Sequence, residues 1–135
     1  MTQELRQFGL EIPARPEFIR IARLIMAGLG NALCFNVEEI EDLKLAVGEA
    51  CYQAFDSGLS STSRLNIRSF LNGDGVEVEV TLSRVGEDGL GRLPGLGPGE
   101  RRLGLTLLRH LVDELGFSYN AQSTEIRLLK RRLLN

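Results

Sequence analysis

Arg64-Leu65-Asn66-Ile67-Arg68-Ser69-Phe70-Leu71, then Asn72-Gly73-Asp74-Gly75, then Val76-Glu77-Val78-Glu79-Val80-Thr81-Leu82-Ser83 is the stretch that decides the fold. Leu65, Ile67, Ser69 and Leu71 alternate with Arg64, Asn66, Arg68 and Phe70. Val76, Val78, Val80 and Leu82 alternate with Glu77, Glu79, Thr81 and Ser83. A strand sends successive side chains to opposite faces, so each run has a buried face and a wetter one. The four residues between them place glycine where a tight turn needs positive φ. Two strands joined this way pair antiparallel, in a sheet with one side on a core and one side towards water.

Upstream, Phe8-Gly9-Leu10-Glu11-Ile12 alternates weakly and ends at Pro13, which reads as a short strand. Pro16 opens a helix, where its missing N–H does no harm. Phe18, Ile21, Ala22, Ile25 and Leu29 recur at helical spacing, with Gly28 and Gly30 as the expected stop. A second helix starts after Asn36, with Glu39 three residues on as a capping box requires. Phe35 and Ile40 are placed to staple that start. Leu43, Val47, Ala50 and Ala54 make the buried stripe, and Asp56-Ser57-Gly58 ends the helix.

Downstream, seven glycines fall between Gly86 and Gly104, interleaved with Pro94 and Pro98. A long loop of this composition is either a flexible connector or a lid over a site. It runs into Gly104-Leu105-Thr106-Leu107-Leu108. A loop ending at a helix N-terminus offers free N–H groups and a positive dipole end, both suited to an anion. That helix carries Leu105, Leu108, Leu111, Val112 and Leu115 and stops at Gly116. Phe117 to Tyr119 and Thr124 to Leu129 make a last hairpin around 120–123. The order is β-α-α-β-β-lid-α-β-β. It predicts the α+β class, a two-layer α/β sandwich with a mostly antiparallel sheet and helices on one face.

The chain has 135 residues, 43% hydrophobic and 25% charged, which suits one soluble domain over 1–135 with a real core. A net charge of −2 gives no basis for direct nucleic-acid binding. No apolar run is long enough to span a membrane, and the N-terminus lacks the apolar core of a secretory signal, so the expected location is cytoplasmic. Cys34 and Cys51 form no CxxC pair and have no cluster of ligands near them, so both are expected to pack as small apolar residues. His110 is expected to be solvated or locally bonded, and Lys130-Arg131-Arg132 to be a solvated basic end.

The second helix also has a chemical face. Asp42, Ala46, Glu49, Gln53 and Asp56 lie three or four residues apart, beside the buried stripe. A carboxylate at Glu49 can accept a proton, and an amide oxygen one turn on can help hold magnesium. The competing reading is a solvated helix face whose acidic start suits the dipole.

Glu41-Asp42-Leu43-Lys44-Leu45-Ala46-Val47-Gly48-Glu49-Ala50-Cys51-Tyr52-Gln53-Ala54 resembles the N-box helix of the anti-sigma factor serine kinases, the RsbW and SpoIIAB group. These belong to the histidine-kinase-like and Hsp90-like ATPases. Leu103-Gly104-Leu105-Thr106-Leu107-Leu108 is similar to that family's second glycine box, and the order of elements matches from about Phe8 to Arg131. The resemblance implies the Bergerat-type ATPase fold, with ATP and Mg2+ as cofactors. It makes Glu49 the general base for attack on the γ-phosphate and puts Gln53 where the family has a magnesium-binding asparagine. It gives Gly104, Leu105 and Thr106 contact with phosphate. In the first glycine box, the family's adenine-binding aspartate has its nearest match in Asp88, with Gly89 and Gly91, although alignment on the strand end puts Arg84 there instead. Arg101 and Arg102 replace glycines before the second box, facing phosphate or keeping the loop soluble. By resemblance the chain is an ATP-binding serine/threonine-protein kinase that regulates transcription through partner switching. Its partners would be a sigma factor and a small anti-sigma antagonist. It would be capable of forming a homodimer, which the family often does through its sheet-bearing face. The alternative is a nucleotide-independent binding module that keeps the fold and has lost kinase activity.

Overall fold

The structure, a computed structural model, describes residues 6–55, 63–73, 75–83, 98–119 and 122–132. Strand β1 (Arg6–Pro13) leads through a 3-10 turn (Pro16–Phe18) into helix α1 (Ile19–Ala32) and helix α2 (Val37–Phe55). Strands β2 (Arg64–Asn72) and β3 (Gly75–Ser83) follow, then helix α3 (Pro98–Leu111) and strands β4 (Glu114–Tyr119) and β5 (Ser123–Arg131). The sheet order is β1-β2-β3-β5-β4, with every pairing antiparallel. The expected two-layer α+β sandwich is the observed architecture.

The alternation of the 64–83 hairpin sets the core. Leu65, Val76, Val78, Val80 and Leu82 are fully buried, and Ile67 nearly so. Ile12 on β1 and Ile126 and Leu128 on β5 join them from the flanking strands. Leu43, Val47, Ala50 and Ala54 of α2 and Ala22 and Met26 of α1 cover this face with no exposure of their own. The turn closes at Asn72↔Gly75, with Gly73 at φ +57. The opposite face is polar. Arg127 lies within ion-pair distance of Glu77, Glu79 and Glu125 there, at 3.3–3.5 Å.

The start of α2 is the expected capping box. Asn36 N donates to Glu39 Oε1 and Glu39 N donates to Asn36 Oδ1, both at 2.7 Å. Two orphan donors at the helix start are thereby satisfied. This fixes the phase of α2 and so which of its residues face the sheet.

Five expectations change. Gly28 and Gly30 lie inside α1 and do not stop it. Gly30 is buried against α2, where a Cβ would meet Ile40 Cγ1 at 2.8 Å, so its role is close packing. The stop comes from Cys34, a non-glycine at φ 60, with Phe35 N bonded to Gly30 O and Cys34 N to Asn31 O. That is the Schellman pattern, which glycine usually occupies. Cys34 is therefore exposed, while Cys51 packs as expected. The α1 stripe is also rotated: Ile19, Ala22, Met26 and Leu29 are buried, and Ile21 is exposed.

Helix α3 starts six residues before Gly104 and ends at Leu111, so Leu115 and Gly116 belong to β4. After Val112 N bonds to Leu108 O, Asp113 N turns to Leu129 O and pairing with β5 begins. Sheet hydrogen bonds to β5 take over from the helix pattern at that point. Finally, the basic end is tied down. Lys130 pairs with Asp42 at 3.6 Å, Arg131 Nη2 donates to Glu114 at 2.9 Å, and Arg132 Nη1 donates to the Leu33 carbonyl at 3.4 Å.

Candidate functional site

The capping box and the buried stripe leave the adjoining face of α2 turned towards α3. Ala46 and Gln53 on that face are buried and Glu49 is half-buried. The solvated-face reading of this stripe therefore does not hold from Ala46 to Gln53. Asp56, at its foot, lies outside the described residues.

Helix α3 crosses this face at Gly104. A Cβ on Gly104 would collide with Glu49 Oε1 and Gln53 Nε2, and would come within 2.9 Å of Glu49 Cδ. Only glycine lets the α3 backbone come this close to the two polar ends. Gln53 Nε2 donates to the Arg101 carbonyl at 3.3 Å, one turn earlier on α3. The Gln53 side chain also hydrogen-bonds Glu49. Burial pushes the Glu49 carboxyl up from its ordinary value, and the bond from Gln53 partly offsets that rise. Glu49, Gln53 and Gly104, far apart in sequence, thus form one polar contact.

The other candidates fall differently. Gly104 is the seventh residue of α3, so its N–H belongs to the helix ladder and is not one of the free first-turn donors. The helix start is at Pro98, a residue with no N–H to leave unsatisfied. Leu105 is half-buried against the core. Thr106 is exposed, and its hydroxyl donates to the Arg102 carbonyl at 2.9 Å. Arg101 and Arg102 are exposed. His110 is locally bonded, with Nδ1 2.8 Å from the Thr106 carbonyl. Cys51 is buried, which pushes its thiol up to about 12, although the Arg23 guanidinium acts the other way. Such a thiol stays protonated and unreactive. Asp88, Gly89 and Gly91, with Arg84, lie outside the described residues. The Arg101 carbonyl is the contact that sequence reasoning missed. A main-chain acceptor leaves no mark in residue type.

Among the described residues, no group of three or more His, Cys, Asp or Glu side chains could hold a metal ion. Glu49 and Gln53 offer oxygen donors one helical turn apart. That set fits a magnesium ion held mainly by phosphates and water, and does not fit a metal held by protein alone. No helix among the described residues is long and apolar enough to cross a membrane.

Residues 12–130 match the family profile described as the histidine kinase-like ATPase domain. The chain is 31% identical to the serine-protein kinase RsbW of Bacillus licheniformis, over 78% of this chain and 74% of that protein. It is 30% identical to the serine-protein kinase RsbW of Bacillus pumilus, over 92% of this chain and 85% of that protein. Its fold matches a crystal structure of RsbU and RsbW domains from Mycobacterium tuberculosis with a TM-score of 0.70 at 19% identity. That match covers 94% of this chain and 32% of the other, so the chain spans about a third of that protein.

Proposed function

Because this chain belongs to the histidine kinase-like ATPase domain family, with RsbW-type serine-protein kinases among its relatives, we propose that it is an ATP-binding regulator of the anti-sigma type. In this reading it works in the cytoplasm and phosphorylates a serine on a small antagonist protein. It binds a sigma factor when that antagonist does not engage it. The observation that carries the reading is the meeting of Glu49, Gln53 and Gly104 at one point between α2 and α3.

Phosphoryl transfer needs positioning and charge neutralisation more than covalent help from the protein. Bound Mg-ATP supplies the γ-phosphoryl group and the cation that spreads its charge. Glu49 accepts the proton of the serine hydroxyl at a carboxylate oxygen. Its raised pKa makes it a stronger acceptor than an exposed glutamate. Gln53 would help hold magnesium through its amide oxygen, and it steadies Glu49 from one turn away. Gly104, Leu105 and Thr106 would hold the phosphates, and Asp88 with Gly89 and Gly91 would hold the adenine.

A second reading is a nucleotide-independent partner-binding module. It draws on Gln53, whose amide is turned to the Arg101 carbonyl, and on Gly104, whose N–H lies within a helix. Phosphate transfer to the antagonist separates the two. In the kinase reading, Glu49→Ala lowers the transfer rate by about 10²–10⁴-fold while ATP binding survives. Equal transfer by wild type and variant removes Glu49 from the role of base.

A further inference from the structure

The first half of α3 is held to the protein by an unusual kind of contact. Every residue from Gly99 to Leu103 is exposed, Leu103 at 71%. No apolar side chain in that span is buried, so the hydrophobic effect does little to fix it. The first buried residue is Gly104, which contributes no side chain. One polar anchor is Gln53, reaching from α2 to the Arg101 carbonyl at 3.3 Å. Segments with few buried apolar contacts open with small free energies, so an anchor of this kind bears directly on their opening.

The same contact fills the candidate site. The gap between Gly104 and the ends of Glu49 and Gln53 does not admit a methyl group. It therefore does not admit a phosphoryl group either. The reach of Gln53 matters here. An asparagine is shorter by one methylene, roughly 1.5 Å. Starting from 3.3 Å, its amide would fall outside hydrogen-bond range of Arg101.

We propose that Gln53 is a latch. Its amide N–H, donated to the Arg101 carbonyl, holds the first half of α3 against Glu49, and a nucleotide binds only after that segment lifts. The competition half of this proposal rests on the nucleotide reading above, whereas the latch half does not. While the latch is closed, Glu49 and Gln53 are tied to each other and to α3 and are not available to a substrate. The affinity for ATP is then reduced by the fraction of molecules that are open. An antagonist or sigma factor that lifts α3 would raise ATP affinity by the same factor by which ATP raises its own.

The test uses the full chain without nucleotide, as wild type, Gln53→Asn and Gln53→Ala. Hydrogen exchange is followed at the amides of residues 101–105, with β3 and β5 as internal controls. Loss of one ordinary hydrogen bond predicts exchange faster by about two- to tenfold in both variants, with the sheet unchanged. ATP titration by calorimetry is run in EDTA, so that metal ligation by residue 53 does not enter. The ATP dissociation constant should fall in both variants by a factor close to the gain in exchange. Unchanged exchange at 101–105 overturns the latch whatever ATP does. Faster exchange with unchanged ATP affinity overturns the competition. Faster exchange in a protein that binds no ATP in any variant, in EDTA or with magnesium added, upholds the latch and removes the nucleotide reading.

Discussion

Replacing Gly104 by Ala, with Gly99→Ala as its partner, probes the contact between α2 and α3 directly. Both glycines lie in α3, so both substitutions remove the same kind of helix penalty, up to about 1 kcal/mol. They differ in what the new methyl meets. At Gly99 nothing lies within 4 Å, so the variant should be unchanged or slightly more stable. At Gly104 the methyl collides with the ends of Glu49 and Gln53. Displacing them breaks the bond from Gln53 to Arg101, about 0.5–1.5 kcal/mol. Overpacking adds to that, towards the low end of its usual range of about 1–3 kcal/mol, because flexible side-chain ends give way more easily than backbone. Gly104→Ala should therefore be about 1.5–2.5 kcal/mol less stable than Gly99→Ala. An unfolding entropy of about 2.1 cal/mol/K per residue over 135 residues is about 0.28 kcal/mol/K. The two midpoints should differ by about 5–9 °C in matched thermal melts followed by circular dichroism. Equal midpoints, or a Gly104 variant above the Gly99 variant, would show that α3 does not press on α2 at this point.

Two further predictions concern α2. Asn36→Ala removes one arm of the reciprocal cap at 2.7 Å and should cost about 1 kcal/mol, a fall of about 4 °C in Tm, with Asn36→Asp retaining most of the stability; an unchanged Asn36→Ala midpoint would mean the cap is idle. Glu49 has a folded pKa above its ordinary value of 4.5, so the folded protein holds this proton more tightly than the unfolded chain does. Its contribution to stability is full below 4.5 and is lost as the pH rises through the raised value. Glu49→Gln, neutral throughout, avoids that loss. In urea melts across a pH series the variant should be the more stable one above the raised value, with the difference closing towards pH 4.5. A gap that widens on acidification has the wrong sign for a carboxyl raised by burial.

The fold was legible where one signal acted alone. The alternation from Arg64 to Ser83 and the Asn36/Glu39 pair each act within a few residues, and the structure uses both as read. Reading failed where a distant partner decided. Gly30 looks like a stop in sequence, but the approach of Ile40 uses it inside α1. Leu115 keeps the helical spacing of Leu108 and Leu111, yet β5 recruits it as strand. The same division runs through the site. The spacing of Glu49 and Gln53 puts them on one face, which local geometry dictates. That Gly104 would press on both, and that Arg101 would offer its carbonyl, depends on how α3 lies across α2. No local pattern encodes that crossing.

Calorimetric titration of the purified wild-type protein with ATP, in the presence of magnesium, tests the central claim most directly. One ATP should bind per chain, and saturating Mg-ATP should raise the melting temperature through mass action. Glu49→Ala should retain this binding, because Glu49 serves the transfer step. No heat of binding and no thermal shift at millimolar ATP would contradict the account and leave the chain as a partner-binding module built on an ATPase fold.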